Sequence, residues 1–276
     1  MYRQDLEKKK SLLTLSKRQS DILVGTLLGD GHLETQNQGR TYRLKIEHTL
    51  AQKDYVDWLY AQWKAWVETP PRMRIRNVDF GNGKGEYAQY GFQTLSSGSL
   101  RFFAQQFYSG KTKVVPKQIR RWLTPITLAI WFMDDGSIKS NAHRAILLNT
   151  QGFSTKDVER LQKALLDRWG IKTSLRKQEN GFQIYVGHES IGKFFSTIFP
   201  HILPSMRYKI PRTYMVNTIA LMVTEAFTKV SYPPMEMAEV LQSDKLASLR
   251  DQQVEQMRKQ EIVIRPYEIG RRKLNG

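Results

Sequence analysis

Residues 124–136 read TPITLAIWFMDDG. A mostly apolar run ends in two adjacent carboxylates, Asp134 and Asp135, and a glycine. Thr124 suits an N-cap and Pro125 the first helical position, so the stretch is expected to start as a helix. Gly136 is expected to end it in a left-handed conformation. A helix this apolar is buried along its length. Carboxylates at its C-terminal end oppose the helix dipole, so a positive group must offset them, and a divalent metal is the first candidate.

The same pattern occurs earlier in weaker form. Ser16 and Gln19 make a capping box ahead of a second apolar run, Ile22 to Gly31 (ILVGTLLGDG). LVGTLLGDG at 23–31 lies over LAIWFMDDG at 128–136, matching Asp30 with Asp135 and Gly31 with Gly136. Asp134 falls against Gly29 and has no counterpart, which leaves its role open. Gly25, Gly29 and Ala129 are small enough for two such helices to approach closely.

After each Asp-Gly the order of elements repeats: β-like, helix, β-like, helix. In the first half Arg43, Lys45 and Glu47 alternate with Leu44 and Ile46, and Arg72, Arg74 and Arg76 with Met73 and Ile75. Period two with charge on one side predicts half-buried strands with a largely cationic outer face. Between them, a helix over about 52–67 carries Tyr55, Leu59 and Trp63 at a spacing of four. In the second half Ala145–Asn149 is a strand, Ser154 opens a helix that Gly170 closes, and residues 171–177 and 182–186 form a hairpin around Asn180-Gly181. Each half then has a helix with paired phenylalanines, Phe102-Phe103 and Phe194-Phe195, and a lysine shortly before a proline, Lys113 and Lys209. A repeat of about a hundred residues points to duplication with pseudo-twofold symmetry.

Composition narrows the function class. Forty-three Lys and Arg against 26 Asp and Glu give a formal charge of +17, which favours a polyanionic partner, nucleic acid before an anionic membrane surface. With no cysteine, thiolate metal sites, disulfides and cysteine nucleophiles are excluded. The opening MYRQDLEKKK lacks the apolar core of a secretory signal, and no run approaches the roughly 18 residues of a membrane helix. His48, His143 and His188 show no zinc-ligand spacing, and the acids do not fit an EF-hand loop.

An Asp-Gly pair alone is most often a turn, and a lone lysine a solvated one. Their duplication beside cationic strands suggests instead a divalent-metal site facing a phosphate backbone. Mg²⁺ takes one or two carboxylates and leaves its other positions to water and phosphate, which suits phosphodiester hydrolysis. Lys113 and Lys209 are placed to stabilise charge on the phosphate or to position water.

These residues resemble the LAGLIDADG homing endonucleases, in their single-chain, two-motif, intron-encoded branch. LVGTLLGDG and LAIWFMDDG look like the two copies of the naming motif, and ILLNTQGFS (146–154) and ILPSMRYKIP (202–211) extend the likeness over roughly 16–230. The first copy departs from the namesake at Thr26 and Gly29 but keeps the Asp-Gly. The resemblance implies an α+β fold of two pseudo-symmetric αββαββα units, the motif helices packed at the centre and two antiparallel sheets forming a saddle over duplex DNA. The units are expected at 16–120 and 121–232, after a lead-in over 1–15 and before a basic C-terminal extension over 233–276. An apolar helix from Pro211 is expected to close the second unit, and a charged helix over 235–260 and a basic tail over 261–276 are expected in the extension.

The resemblance further implies that Asp30 and Asp135 bind Mg²⁺, with Mn²⁺ able to stand in, and that Lys113 and Lys209 are the basic catalytic positions. Each acid serves one strand of a long asymmetric target and leaves 3′ overhangs. Glu47, Asn149 and Gln151 are candidate accessory polar groups. Arg43, Lys45, Arg72, Arg74, Arg76, Lys139, Arg144, Lys172, Arg176, Gln183 and Tyr185 are expected to face bases or phosphates. A monomer inside a cell, in an organelle or a bacterial cytoplasm, is the expected setting. An intron maturase that binds host RNA, or a DNA-binding regulator, on the same scaffold are the alternatives, and neither would need both acids.

Overall fold

The structure is a computed structural model that describes residues 2–79, 84–140, 143–211 and 214. The expectations for the helix running on from Pro211, for 235–260 and for the tail lie outside the described residues. The elements are α1 (Tyr2–Ser11), α2 (Lys17–Leu28), β1 (His32–Glu34), β2 (Arg43–Thr49), α3 (Lys53–Trp63), β3 (Arg72–Asp79), β4 (Lys84–Gln93), α4 (Arg101–Phe107), β5 (Tyr108–Ser109), β6 (Thr112–Lys113) and α5 (Ile119–Trp122). There follow α6 (Pro125–Asp135), β7 (Gly136–Ser140), β8 (His143–Leu148), α7 (Thr155–Trp169), β9 (Ser174–Gln178), β10 (Gly181–Val186), α8 (His188–Ile198) and a 3-10 segment, Pro204–Lys209. Among the described residues no helix is long and apolar enough to cross a membrane.

The two motif helices, α2 and α6, pack against each other at the centre. The capping box of Ser16 and Gln19 starts α2, and Thr124 starts α6 by accepting the Thr127 N–H at 3.2 Å. Ile22, Leu23, Leu27, Leu28, Leu128, Ala129, Trp131, Phe132 and Met133 are all buried, as expected of helices apolar around most of their circumference. Glycine sets their separation. A Cβ at Gly25 would lie 2.6 Å from Ile130 Cβ and 2.8 Å from the Thr127 carbonyl oxygen. The Thr127 hydroxyl donates across the interface to the Asp21 carbonyl at 3.0 Å.

One helix ending differs from expectation. Gly136 is extended (φ −73°, ψ 143°) and leads straight into β7. It is needed for space, since a Cβ there would run into the Phe132 ring and carbonyl. Gly170 does close α7 in the left-handed conformation, with φ 64°.

Two four-stranded antiparallel sheets flank the central pair, in the orders β1-β2-β4-β3 and β7-β8-β10-β9. Each sheet thus places its own four strands in the same order. Behind the first lies α3, with Tyr55, Val56, Leu59 and Trp63 buried, and behind the second lie α7 and α8. In β2 the alternation holds, with Leu44, Ile46 and His48 buried and Arg43, Lys45 and Glu47 half-buried. In β3 it fails on the apolar side: Met73 and Ile75 are 54% and 61% exposed. The cause is topological. Strand β3 is an edge strand, and β4 pairs with β2 only over Gln89–Gln93, so Ile75, opposite Ala88, lies on a two-stranded ribbon that outruns the third strand. The paired phenylalanines also diverge: Phe194 and Phe195 are buried beside Phe132, whereas Phe102 is exposed.

Two glycine substitutions test this packing in urea denaturation. Gly25→Ala is expected to lose on the order of 1–2 kcal/mol, because overpacking outweighs the helix-propensity gain. Gly192→Ala, inside α8 with open space around its Cβ position, is expected to gain about 0.5–1 kcal/mol.

Candidate active site

Helix α2 stops at Leu28, and its last turn closes with the Gly29 N–H on the Gly25 carbonyl and the Gly31 N–H on the Thr26 carbonyl at 2.8 Å. The Asp30 N–H has no place in that ladder and donates to Asp134 Oδ2 at 3.2 Å. The Asp134 carboxylate has no solvent exposure, and its Oδ1 accepts the Tyr55 hydroxyl at 2.7 Å. His48 lies between the two acids, Nδ1 3.4 Å from Asp30 Oδ2 and Nε2 3.8 Å from Asp134 Oδ1, with its ring tilted 5.2 Å from that of Tyr55. Asp30, His48 and Asp134 bring ligand-capable atoms within 4.8 Å of one another. Asp30 is 48% exposed and Asp135 is half-buried, whereas the Asp134 carboxylate is fully enclosed.

Lys113 and Lys209 occupy matching positions. The Lys113 ammonium donates to the carbonyls of Gly29 at 2.7 Å and Gly31 at 2.9 Å. That of Lys209 donates to the carbonyls of Met133 and, at 2.8 Å, Asp134. Each lysine therefore caps the negative end of one motif helix. The positive offset that the helix dipole demands is built in as two ammonium groups, which modifies the expectation that a metal supplies it.

Burial and crowding shape the charges. Burial, then the Asp30 charge, raises the Asp135 pKa to about 7 against the pull of Lys113 and Lys209. Burial and Asp30 push Asp134 well above the usual carboxylate range, although the Tyr55 hydrogen bond opposes them. Burial pushes Lys113, Lys209 and His48 down and Tyr55 well up. Three carboxylates facing two ammonium groups leave the cluster short of positive charge when all are ionised. Carboxylate oxygens with no sulfur nearby suit a hard divalent cation, and Asp30 and Asp135 are the acids of the cluster that are not fully enclosed.

The rest of the expected site falls on the sheets. Pairing puts Arg43, Lys45, Glu47, Arg72, Arg74 and Arg76 on one face of the first sheet. Glu34 binds Arg43 at 2.7 Å; Glu47 binds Lys45 at 2.9 Å and Arg74 at 3.2 Å, with Arg76 at 3.7 Å. Glu47 thus joins an ionic ladder, on the opposite side of β2 from His48. On the second sheet Arg176 pairs with Gln183, and the Lys139 ammonium lies 5.6 Å from the Tyr185 ring centre. Gln183 is buried and donates to Asn149 Oδ1 at 2.7 Å, while the Asn149 N–H reaches the Asp135 carbonyl at 3.1 Å. Asn149 therefore links the sheet to the motif. Gln151 lies in the turn after β8, where its carbonyl abuts Gly181, and Arg144 lies within β8. Lys172 corrects an expectation, because β9 begins only at Ser174. Lys172 sits at the rim, its N–H bonded to Ser190 Oγ at 2.9 Å.

Neither His48 nor Tyr55 was assigned to the site from the sequence. His48 shares the parity of Leu44 and Ile46, so a titratable group on the core side of β2 was the available signal. Tyr55 read as one more member of an apolar stripe, although a buried phenol needs a partner.

The model of the LAGLIDADG DNA endonuclease family matches residues 20–194, a span that takes in both motifs and both sheets. The chain belongs to the LAGLIDADG DNA endonuclease family. It is 34% identical over 212 residues to the DNA endonuclease I-ChuI of Chlamydomonas applanata, covering 72% of this chain and 96% of that one. Cytochrome b mRNA maturase bI2 of Saccharomyces cerevisiae is 31% identical over 199 residues, 68% of this chain but 46% of the maturase. Among solved structures, the homing endonuclease I-WcaI bound to its DNA recognition sequence superposes with a TM-score of 0.68 at 25% identity, covering 74% of this chain and 91% of that one. The LAGLIDADG motifs are α2 and α6, and the saddle is the pair of four-stranded sheets.

The raised Asp135 pKa has a stability consequence. Its folded value of about 7 exceeds the ordinary 3.8, so its contribution is full below the latter and is lost as the pH rises through about 7. Asp135→Asn removes that dependence. In EDTA, the Tm of the variant relative to wild type is expected to climb from pH 5 to pH 8; a flat difference would contradict the assignment.

Proposed function

We propose that the chain is a sequence-specific DNA endonuclease that hydrolyses one phosphodiester in each strand, with Asp30 and Asp135 holding divalent metal. The observation that carries this reading is the pair of acids, Asp30 and Asp135, at the feet of two packed motif helices, each foot capped by a half-buried lysine. Mg²⁺ is the expected ion and Mn²⁺ a substitute, and the bound ion would supply an activated water and charge stabilisation at the leaving oxygen. An ammonium group has three donors, and each lysine spends two on carbonyls, which leaves one for a phosphate oxygen or a water. Asn149, tied to both Asp135 and Gln183, orients the second acid relative to its sheet.

The sheet faces grip the duplex. Arg72, Arg74, Arg76, Arg43 and Lys45 serve one half-site, and Lys139, Arg144, Arg176 and Tyr185 the other, while Gln183, expected among them, is buried and bonded to Asn149 instead. Arginine suits base edges, and lysine suits phosphates. Lys172, at the rim, contributes backbone contact at most. The working unit is a monomer with internal pseudo-twofold symmetry, and the family likeness implies a long asymmetric target cut to leave 3′ overhangs. An intracellular setting, organellar or bacterial, agrees with relatives described as intron-encoded. The likeness to maturase bI2 supports a second reading, assistance to splicing of a host intron RNA, which is compatible with cleavage.

Cleavage of a plasmid library with Mg²⁺, mapped by sequencing the cut ends, is the test. Asp30→Asn and Asp135→Asn are each expected to abolish one strand's cut. DNA binding without any break in Mg²⁺ or Mn²⁺ would defeat the nuclease reading. Binding is expected to weaken by about a thousandfold or more between roughly 50 and 200 mM salt, as a multi-phosphate interface does. An affinity that stays flat over that range would contradict the sheet assignment.

A further inference from the structure

The two motif feet are not equivalent, and the difference lies in Asp134. Helix α6 runs through Asp135, so Asp135 is still a helical residue. Helix α2 ends at Leu28, two residues before Asp30, whose N–H is left outside the helical ladder. That N–H is held by Asp134 Oδ2 at 3.2 Å, from the other half of the chain. The other Asp134 oxygen is held at 2.7 Å by the Tyr55 hydroxyl, from the helix behind the first sheet. His48 closes the set on both acids. Gly29, the residue matched with Asp134 in the motif comparison, is its physical neighbour: a Cβ there would lie 2.5 Å from Asp134 Oδ2. Among the described residues the second foot has no matching carboxylate clamp, because Gly29 offers no carboxylate to hold Asp135.

We infer that Asp134, locked by Tyr55, is a positioning residue for Asp30 alone, so that the two strand cuts depend on different structures. With both oxygens engaged and no exposure, Asp134 is not one of the acids offered to the metal. It sets the backbone from which the half-exposed Asp30 carboxylate projects, and His48 steadies that carboxylate at 3.4 Å. Loosening the clamp misplaces one acid and leaves the other anchored in its helix. Displacements of this kind have large effects on reactions that depend on positioning.

The inference rests on the endonuclease reading, and its test separates the two. Tyr55→Phe removes one hydroxyl and keeps the ring, and Asp134→Asn keeps the volume and removes the charge. On a supercoiled plasmid carrying the mapped target with Mg²⁺, each is expected to accumulate nicked circles. The strand whose cut Asp30→Asn abolishes should be cut about tenfold or more slowly and the other strand near the wild-type rate, as expected for loss of one charge-assisted hydrogen bond. Equal slowing of both strands, or no slowing, overturns the clamp; general destabilisation would produce the former. A second readout needs neither metal nor substrate. In EDTA, amide hydrogen exchange over residues 28–31 is expected to accelerate in both variants, with residues 133–136 unchanged. Unaltered exchange at 28–31 also overturns it. If the wild type cuts nothing, the endonuclease reading falls by itself, and the exchange arm still decides whether Asp134 clamps Asp30.

Discussion

Everything in this molecule depends on how closely α2 and α6 can approach. Gly25 admits Ile130 and Gly29 admits the Asp134 carboxylate, so the two backbones meet with little between them. That closeness brings the C-terminal ends of both helices, with their acids, to one place. It also forces Asp134 out of water, since no space remains for hydration at its carboxylate. Larger residues at these glycines would push the helix feet apart, and the acids would become two unrelated surface carboxylates.

Bringing two helix C-termini and three carboxylates together creates an electrostatic problem, and the fold answers it in layers. Lys113 and Lys209 neutralise the carbonyl ends. Tyr55 and the Asp30 N–H satisfy the Asp134 oxygens, as a buried carboxylate requires. The remaining negative charge falls on Asp30 and Asp135, and burial, then the Asp30 charge, raises the Asp135 pKa. A site left short of positive charge is prepared for a cation.

The sheets address the polyanion in a similar way. The guanidinium groups of the first sheet are not free-swinging: Glu34 and Glu47 bind Arg43, Lys45, Arg74 and Arg76 in the plane of the face. Half-buried and reached by solvent, such pairs add only modest stability. Their effect is to hold long cationic side chains near one geometry while leaving an excess of positive charge. The exposed Ile75 on β3, opposite Ala88, shows the cost of extending a ribbon past its third strand.

The sequence by itself determined the elements and their order. Capping residues, Pro125, Gly170 and Asn180-Gly181 act locally, and a strand's alternation reports the face it buries. The internal comparison was enough to pair Asp30 with Asp135 and Lys113 with Lys209, because residues in equivalent places of a repeat need no distance information. Only the tertiary structure decided what those residues do to one another. The lysines read as groups for the phosphate or a water, and they are also bonded to carbonyls at the feet of the motif helices. Glu47 read as a companion of the acids and lies in the ladder of the sheet. His48 and Tyr55 read as a spacing failure and an apolar stripe. Asp134 read as a residue without a partner, and it holds Asp30 across the interface. The contacts of the lysines, His48, Tyr55 and Asp134 join residues far apart in the chain, and the sheet pairing sets those of Glu47, so neither follows from a local pattern.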